Sequence, residues 1–163
     1  MTTQGGQANK TGNVLEQLVI GTLSAHGFPT VKYLDYMKNR NDYDNELLLK
    51  NVPYTTLYGG RGYTEFLLIS NKYDLEIRIE CKWQQTAGSV DEKLPHVYLS
   101  AVNAIPEDDV IILIDGKGFR KGAIPWLKNI AENREYISKD NPNKKISIMN
   151  STEFLTWCND TFK

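Results

Sequence analysis

The run Val110-Ile111-Ile112-Leu113-Ile114 has no polar interruption and is bounded by Glu107-Asp108-Asp109 before it and Asp115-Gly116 after it. A strand with one wet face alternates apolar and polar residues, whereas an unbroken β-branched run between turn residues marks a strand buried on both faces. Helices must then cover the sheet from both sides, which restricts the chain to the α/β layer architectures. At 163 residues there is room for one such core, so residues 12–163 are read as a single domain. The polar, Gly-rich residues 1–11 are read as a flexible arm.

The remaining elements follow from periodicity. Leu15, Leu18, Val19 and Leu23 recur at helical spacing, with Asn13 as the expected N-cap and Gly27 as C′ residue. Thr30 to Tyr36 alternates as a strand, and the polar stretch from Asn39 to Pro53 reads as a loop whose Leu47–Leu49 patch stays unassigned. Tyr63–Ile69 and Leu75–Trp83 are rich in aromatic and β-branched residues and flank the turn-like Asn71-Lys72-Tyr73-Asp74, so they read as a hairpin. Leu94, Val97, Tyr98, Ala101, Val102 and Ile105 form an apolar stripe. That helix starts either at a Ser89/Glu92 capping box or at about Pro95. A helix over Ile124–Ile137, a strand over Lys145–Met149 and a closing helix over Thr152–Phe162 capped by Ser151 complete the order. The result is a mixed β-sheet flanked by helices.

Composition removes several chemistries. Two cysteines, Cys81 and Cys158, make neither a disulfide framework nor a four-ligand zinc site, which points to a reducing, cytoplasmic setting. Two histidines without H-E-x-x-H spacing leave carboxylates, lysine and metal as the means of catalysis. No run approaches ~18 apolar residues, so neither a membrane span nor a membrane partner is expected. Net charge is −1, but residues 117–145 hold eight Lys or Arg against three acids. That asymmetry reads either as a phosphate-facing side or as two unevenly charged solvated faces.

If Asn71–Asp74 is a four-residue loop, Ser70 pairs with Leu75 and Glu65 falls opposite Glu80. Directly opposed Cβ atoms lie about 4.5 to 5.5 Å apart, where like charges destabilise unless a cation sits between them. A divalent ion is the obvious occupant, and Lys82, two residues on, can reach whatever it binds. The plain alternative makes Glu76, Arg78, Glu80 and Lys82 the solvated face of an edge hairpin.

Glu65, the strand ending Ile79-Glu80-Cys81-Lys82, and the helix beginning near Ser89-Val90-Asp91-Glu92-Lys93 together resemble the PD-(D/E)XK nuclease superfamily. The string ECKWQQTAGSVDEKLP resembles a branch found in bacterial and phage proteins. The resemblance implies a restriction-endonuclease-like αβββαβ core and a Mg²⁺- or Mn²⁺-dependent deoxyribonuclease that cuts duplex or branched DNA, with a homodimer as an expected assembly; a single small domain, with little mass for a strand-threading channel, favours an endonuclease. The resemblance also implies that Glu65 and Glu80 ligate the ion with the backbone carbonyl of Cys81, and that Lys82 orients or helps deprotonate the nucleophile. Glu65 stands where Asp is commoner, with Thr64 in the place of the motif's Pro. Gln84, one alternation past Lys82, either touches the scissile phosphate or is a polar loop residue, and Glu16 resembles an auxiliary acid. Arg61, Lys93, Lys117, Arg120 and Lys121 are the expected substrate contacts, on loops or near a helix N-terminus. The alternative function is a catalytically inactive module of the same fold that binds nucleic acid or protein.

Overall fold

The computed structural model describes residues 4–163, with side chains from residue 14 onward. A helix α1 (Gln4–Ala25) leads into β1 (Thr30–Lys32), a short α2 (Tyr33–Lys38), β2 (Glu46–Thr55), β3 (Arg61–Ser70) and β4 (Leu75–Trp83). Then come α3 (Leu94–Asn103), β5 (Asp109–Asp115), α4 (Ala123–Glu132), β6 (Lys145–Met149) and α5 (Ser151–Thr161). The six strands lie in the order β1-β2-β3-β4-β5-β6. β2, β3 and β4 are antiparallel, while β1 on β2, and β4, β5 and β6 among themselves, are parallel. This is the mixed sheet between helices that the buried run of β5 demands.

Alternation along the strands sorts the core into two layers. Phe66, Leu68, Ile77, Ile79, Cys81, Ile111 and Leu113 pack under α1 and α5, against Leu15, Val19, Leu23, Phe154 and Cys158. Val110, Ile112 and Ile114 project the other way, under α3 and α4, against Leu94, Tyr98, Ala101, Leu127 and Ile130. Burying one such aliphatic side chain is worth roughly 1.5 to 3 kcal/mol, so β5, buried from Val110 to Ile114, is the spine of the sheet. The Tyr98 hydroxyl donates to the Glu135 carbonyl at 2.7 Å and ties α3 to the end of α4.

Several expectations are corrected. Helical backbone begins at Gln4, so Asn13 lies inside α1, while Gly27 takes the φ of 93° suited to a C′ residue. Residues 1–3 of the expected arm, and the side chains up to Asn13, lie outside what the structure describes. The strand expected over Thr30–Tyr36 stops at Lys32 and turns into α2. The supposed loop before Pro53 contains β2, whose Leu47, Leu48 and Leu49 are buried. Of the two starts open to the helix with the Leu94–Ile105 stripe, the one near Pro95 is realised: α3 starts at Leu94 with Pro in its first turn and no side-chain cap. Asn150 rather than Ser151 caps α5, in a reciprocal box with Glu153. Of the face carrying Glu76, Arg78, Glu80 and Lys82, only Glu76 is fully solvated: Arg78 is 2% exposed, and Glu80 and Lys82 are half-buried where α3 faces them.

Candidate active site

β3 and β4 pair as Ser70↔Leu75 through Phe66↔Ile79, the register that the four-residue turn predicts. The next step outward would set Glu65 against Glu80. There the strands part. On the other side of β3 the ladder steps from Lys50↔Phe66 to Val52↔Thr64, and Asn51 between them has a left-handed φ of 57°. At this irregularity the Glu65 carboxylate crosses to β4 and accepts the Cys81 backbone N–H at 2.9 Å. Glu65 thus reaches the peptide that joins Cys81 to Glu80.

Glu80 and Lys82 project from the same face of β4 and form an ion pair of 2.7 Å between Oε1 and Nζ. The second oxygen of Glu80, Oε2, is buried and has no hydrogen-bond partner among the described protein atoms. Electrostatics follow from this crowding. Burial first, and the charge of Glu80 second, push the Glu65 carboxyl up to about 8, against the pull of Lys82 and the Cys81 N–H. Burial opposes the charge on Lys82, but Glu80 and Glu65 outweigh it and hold the ammonium above the usual lysine range. The Cys81 thiol is pushed well up by burial and by the Glu65, Glu80 and Glu16 charges, which keeps it a neutral core group. Glu16 on α1 stands 3.9 Å from Lys50 of β2, on the flank of the same centre.

Two carboxylates that repel each other, one with an orphaned oxygen, fit a hard divalent cation, which takes anionic oxygen ligands. Among the described residues no three His, Cys, Asp or Glu side chains converge into a ready cage, so such an ion would draw on backbone, water and substrate oxygens as well.

A cleft of about 490 Å³ opens onto Glu80 and Lys82 between the sheet and α3, lined also by Tyr54, Lys93, His96 and Ser100. The structure places Lys93, one of the expected substrate contacts, in the lining of the same cleft as Glu80 and Lys82. His96 and Ser100 come with it because 93, 96 and 100 share one helical face. That spacing was readable; Tyr54 was not, since it belongs to the unassigned β2.

Other expected contacts are redirected. Gln84 is buried, and its amide is already engaged: Oε1 accepts the Val90 N–H at 2.8 Å and Nε2 donates to the Gly118 carbonyl at 2.9 Å. The side chain fastens the loop after β4 to the loop after β5 instead of pointing at a phosphate. Gly116 completes that junction, because a Cβ there would sit 2.2 Å from the Gln84 carbonyl oxygen and its φ is 115°. Arg120 pairs with Asp91 at 3.2 Å and Glu92 at 3.3 Å, which offsets its charge locally. Lys117 and Lys121 are exposed beside it, outside the lining of the Glu80–Lys82 cleft. Arg61 lies at the start of β3 in a different cleft, with Lys32, Lys38, Lys50 and Tyr63. The basic stretch 117–145 is not one phosphate-facing side. Lys144 is buried on the Ile105 and Glu107 carbonyls at 2.7 and 2.8 Å, and Lys128 pairs with Glu153.

A sheet of this topology, with an acid at the splayed end of one hairpin strand and Glu-x-Lys on the other, defines a nuclease-type α/β fold. The comparison with protein families agrees: the model of the PD-(D/E)XK nuclease superfamily domain matches residues 7–162, and the chain belongs to that superfamily. No curated protein and no solved structure gives a significant match. No helix among the described residues is long and apolar enough to cross a membrane.

Proposed function

We propose that this protein is a metal-dependent nuclease that hydrolyses DNA phosphodiester bonds, with Glu65, Glu80 and Lys82 at its centre. The observation that carries the reading is the buried, mutually repelling pair Glu65 and Glu80 beside the Lys82 ammonium. Glu65, Glu80 and the Cys81 carbonyl would hold Mg²⁺ or Mn²⁺. When bound, such an ion offsets charge on the phosphorane and lowers the pKa of a coordinated water.

The chain's own groups do the rest. Lys82 keeps its proton on Nζ while both glutamates are charged, so it acts as a hydrogen-bond donor that orients the nucleophile or a phosphate oxygen. Lys93 and His96 line the cleft where a phosphate would enter, and the α3 wall limits water around the reacting bond. An endonuclease is favoured over an exonuclease because one small domain has little mass from which to build a strand-threading channel. Two copies would present two such centres to a duplex; Trp126 and Tyr136 are exposed aromatics available for that pairing.

The test is cleavage of supercoiled, linear, single-stranded and branched DNA, with an RNA arm, in Mg²⁺ and Mn²⁺. Glu80→Gln and Lys82→Ala should each lose about 100-fold or more in rate while remaining folded. Cleavage by these variants at the parental rate overturns the assignment. A folded parent that takes up no Mn²⁺ in calorimetry and cuts nothing transfers the chain to the non-catalytic binding module.

A further inference from the structure

A second cleft, of about 720 Å³, lies between α2 and the outer ends of β2 and β3. Its lining includes Lys32, Lys38, Lys50 and Arg61, with Asp35 as the one acid, together with Tyr33 and Tyr63. Lys32 and Lys50 are direct partners in the β1–β2 ladder. Like charges facing each other across strands destabilise a sheet unless something of opposite sign lies over them. Glu16 approaches Lys50 from α1 at 3.9 Å, but among the described residues no ion pair engages Lys32, Lys38 or Arg61. The cleft is thus a concave surface with surplus positive charge and calls for a polyanion.

The aromatic groups narrow the choice. Arg61 and Tyr63 are two apart on β3 and share a face, and the guanidinium sits 5.7 Å from the Tyr63 ring centroid. Tyr63 is nevertheless 57% exposed. A cation-backed ring that is open to solvent in a basic groove is a stacking platform for an unpaired base, a surface that a duplex does not offer because its base faces are already stacked. Along the chain the cleft adjoins the centre already described. Tyr63 precedes Glu65 by two residues, about 7 Å along the strand, and Lys50 pairs with Phe66, the neighbour of Glu65.

We propose that this cleft seats a single strand of nucleic acid, its phosphates against Lys32, Lys38, Lys50 and Arg61 and a base on Tyr63, and delivers that strand to Glu65 and Glu80. The proposal deepens the nuclease reading and rests on it for the direction of delivery, while the binding itself can be tested apart from cleavage.

The experiment is fluorescence anisotropy with labelled oligodeoxyuridylate, oligouridylate and a duplex of equal length, in EDTA so that nothing is cut. The parent should bind single strands more tightly than duplex. Lys32→Ala/Lys38→Ala/Arg61→Ala should weaken single-strand binding about tenfold or more and lower the slope of log affinity against log salt by about 2. Tyr63→Ala should weaken it about fivefold or more, and Tyr63→Phe should restore it, since stacking needs the ring and not the hydroxyl. Lys139→Ala/Lys145→Ala, on the far side, should bind like the parent. Equal affinity for the two oligonucleotides assigns recognition to phosphate and base; a preference for one adds the sugar. Parental binding by a folded triple variant overturns the proposal, as does a duplex bound as tightly as a single strand with Tyr63→Ala without effect. If the parent cuts nothing in Mn²⁺ yet the triple variant loses binding, the groove stands and the nuclease reading falls. If the triple variant cuts with parental kcat and KM, the groove falls and the nuclease reading stands.

Discussion

Glu65 is a carboxyl held in an environment that favours its proton, and that has a measurable consequence for stability. Its folded-state value of about 8 lies above the ordinary 4.5. A group whose pKa rises on folding contributes stability fully below its unfolded value and loses it as pH climbs through the folded one. Without divalent metal the parent should therefore lose stability between about pH 4.5 and 8. Glu65→Gln, which keeps the shape and cannot ionise, should flatten that loss by on the order of 1 to 2 kcal/mol, or roughly 3 to 6 °C in Tm at pH 8.5. Thermal melts of both proteins at pH 5 and 8.5 check this; a Tm difference that does not change with pH sinks it. Arg78 is a buried cation with its partners in place. Its guanidinium is buried in a bidentate pair with Glu107 at 2.8 and 2.9 Å, and it also donates to the Val52 and Pro53 carbonyls. Arg78→Met should cost about 3 to 5 kcal/mol in urea unfolding, because it leaves the Glu107 carboxylate without its partner. Glu107→Gln in the same background should recover part of that loss.

At the scale of elements, the hairpin was legible because its turn length fixes its register from Ser70↔Leu75 to Phe66↔Ile79, but the irregularity that parts the strands there and sends the Glu65 carboxylate to the Cys81 N–H is written in no turn length. β6 and the apolar stripe of α3 were legible because each keeps one period along its length, and β5 because its apolar run is unbroken. β2 was not. Lys50, Asn51 and Pro53 interrupt its pattern, and the left-handed Asn51 makes it an irregular strand that no period-two template matches. The misreading of Thr30–Tyr36 has a related cause, since three strand residues run straight into a helix with no cap residue between them. Tyr54, which lines the cleft, and Lys50, beside Glu16, belong to β2, so these neighbours of the site stayed out of view while its acids and lysine did not. Gln84 was visible as a residue but not as a clasp, because its partners Val90 and Gly118 lie on separate loops. Removing the clearance on which that clasp depends should be costly. Gly116→Ala should destabilise the protein by about 2 kcal/mol or more and speed amide exchange at Val90 and Gly118, measured by urea unfolding and hydrogen exchange.

Over the whole molecule, charge proved a poor guide when read by segment, since Lys144 of the basic stretch ends in a buried socket on carbonyls and Arg120 and Lys128 in ion pairs, while the cleft with surplus cations gathers residues from 32 to 61. Burial was a better guide. α5 supplies Phe154 and Cys158, both fully buried, and Phe162 follows it into the same layer. Deleting residues 151–163 should therefore strip one side of the sheet and abolish the cooperative thermal transition seen by circular dichroism; a truncated chain that melts cooperatively would contradict this packing. The order of the strands across the sheet is also their order along the chain. On a ribosome, which releases the N-terminal part first, each new strand emerges to find its neighbour already waiting at the growing edge, and none has to be threaded between two that have already joined. Glu65, Glu80 and Lys82 would come together midway through synthesis, and the last helix would close over a sheet that is already assembled.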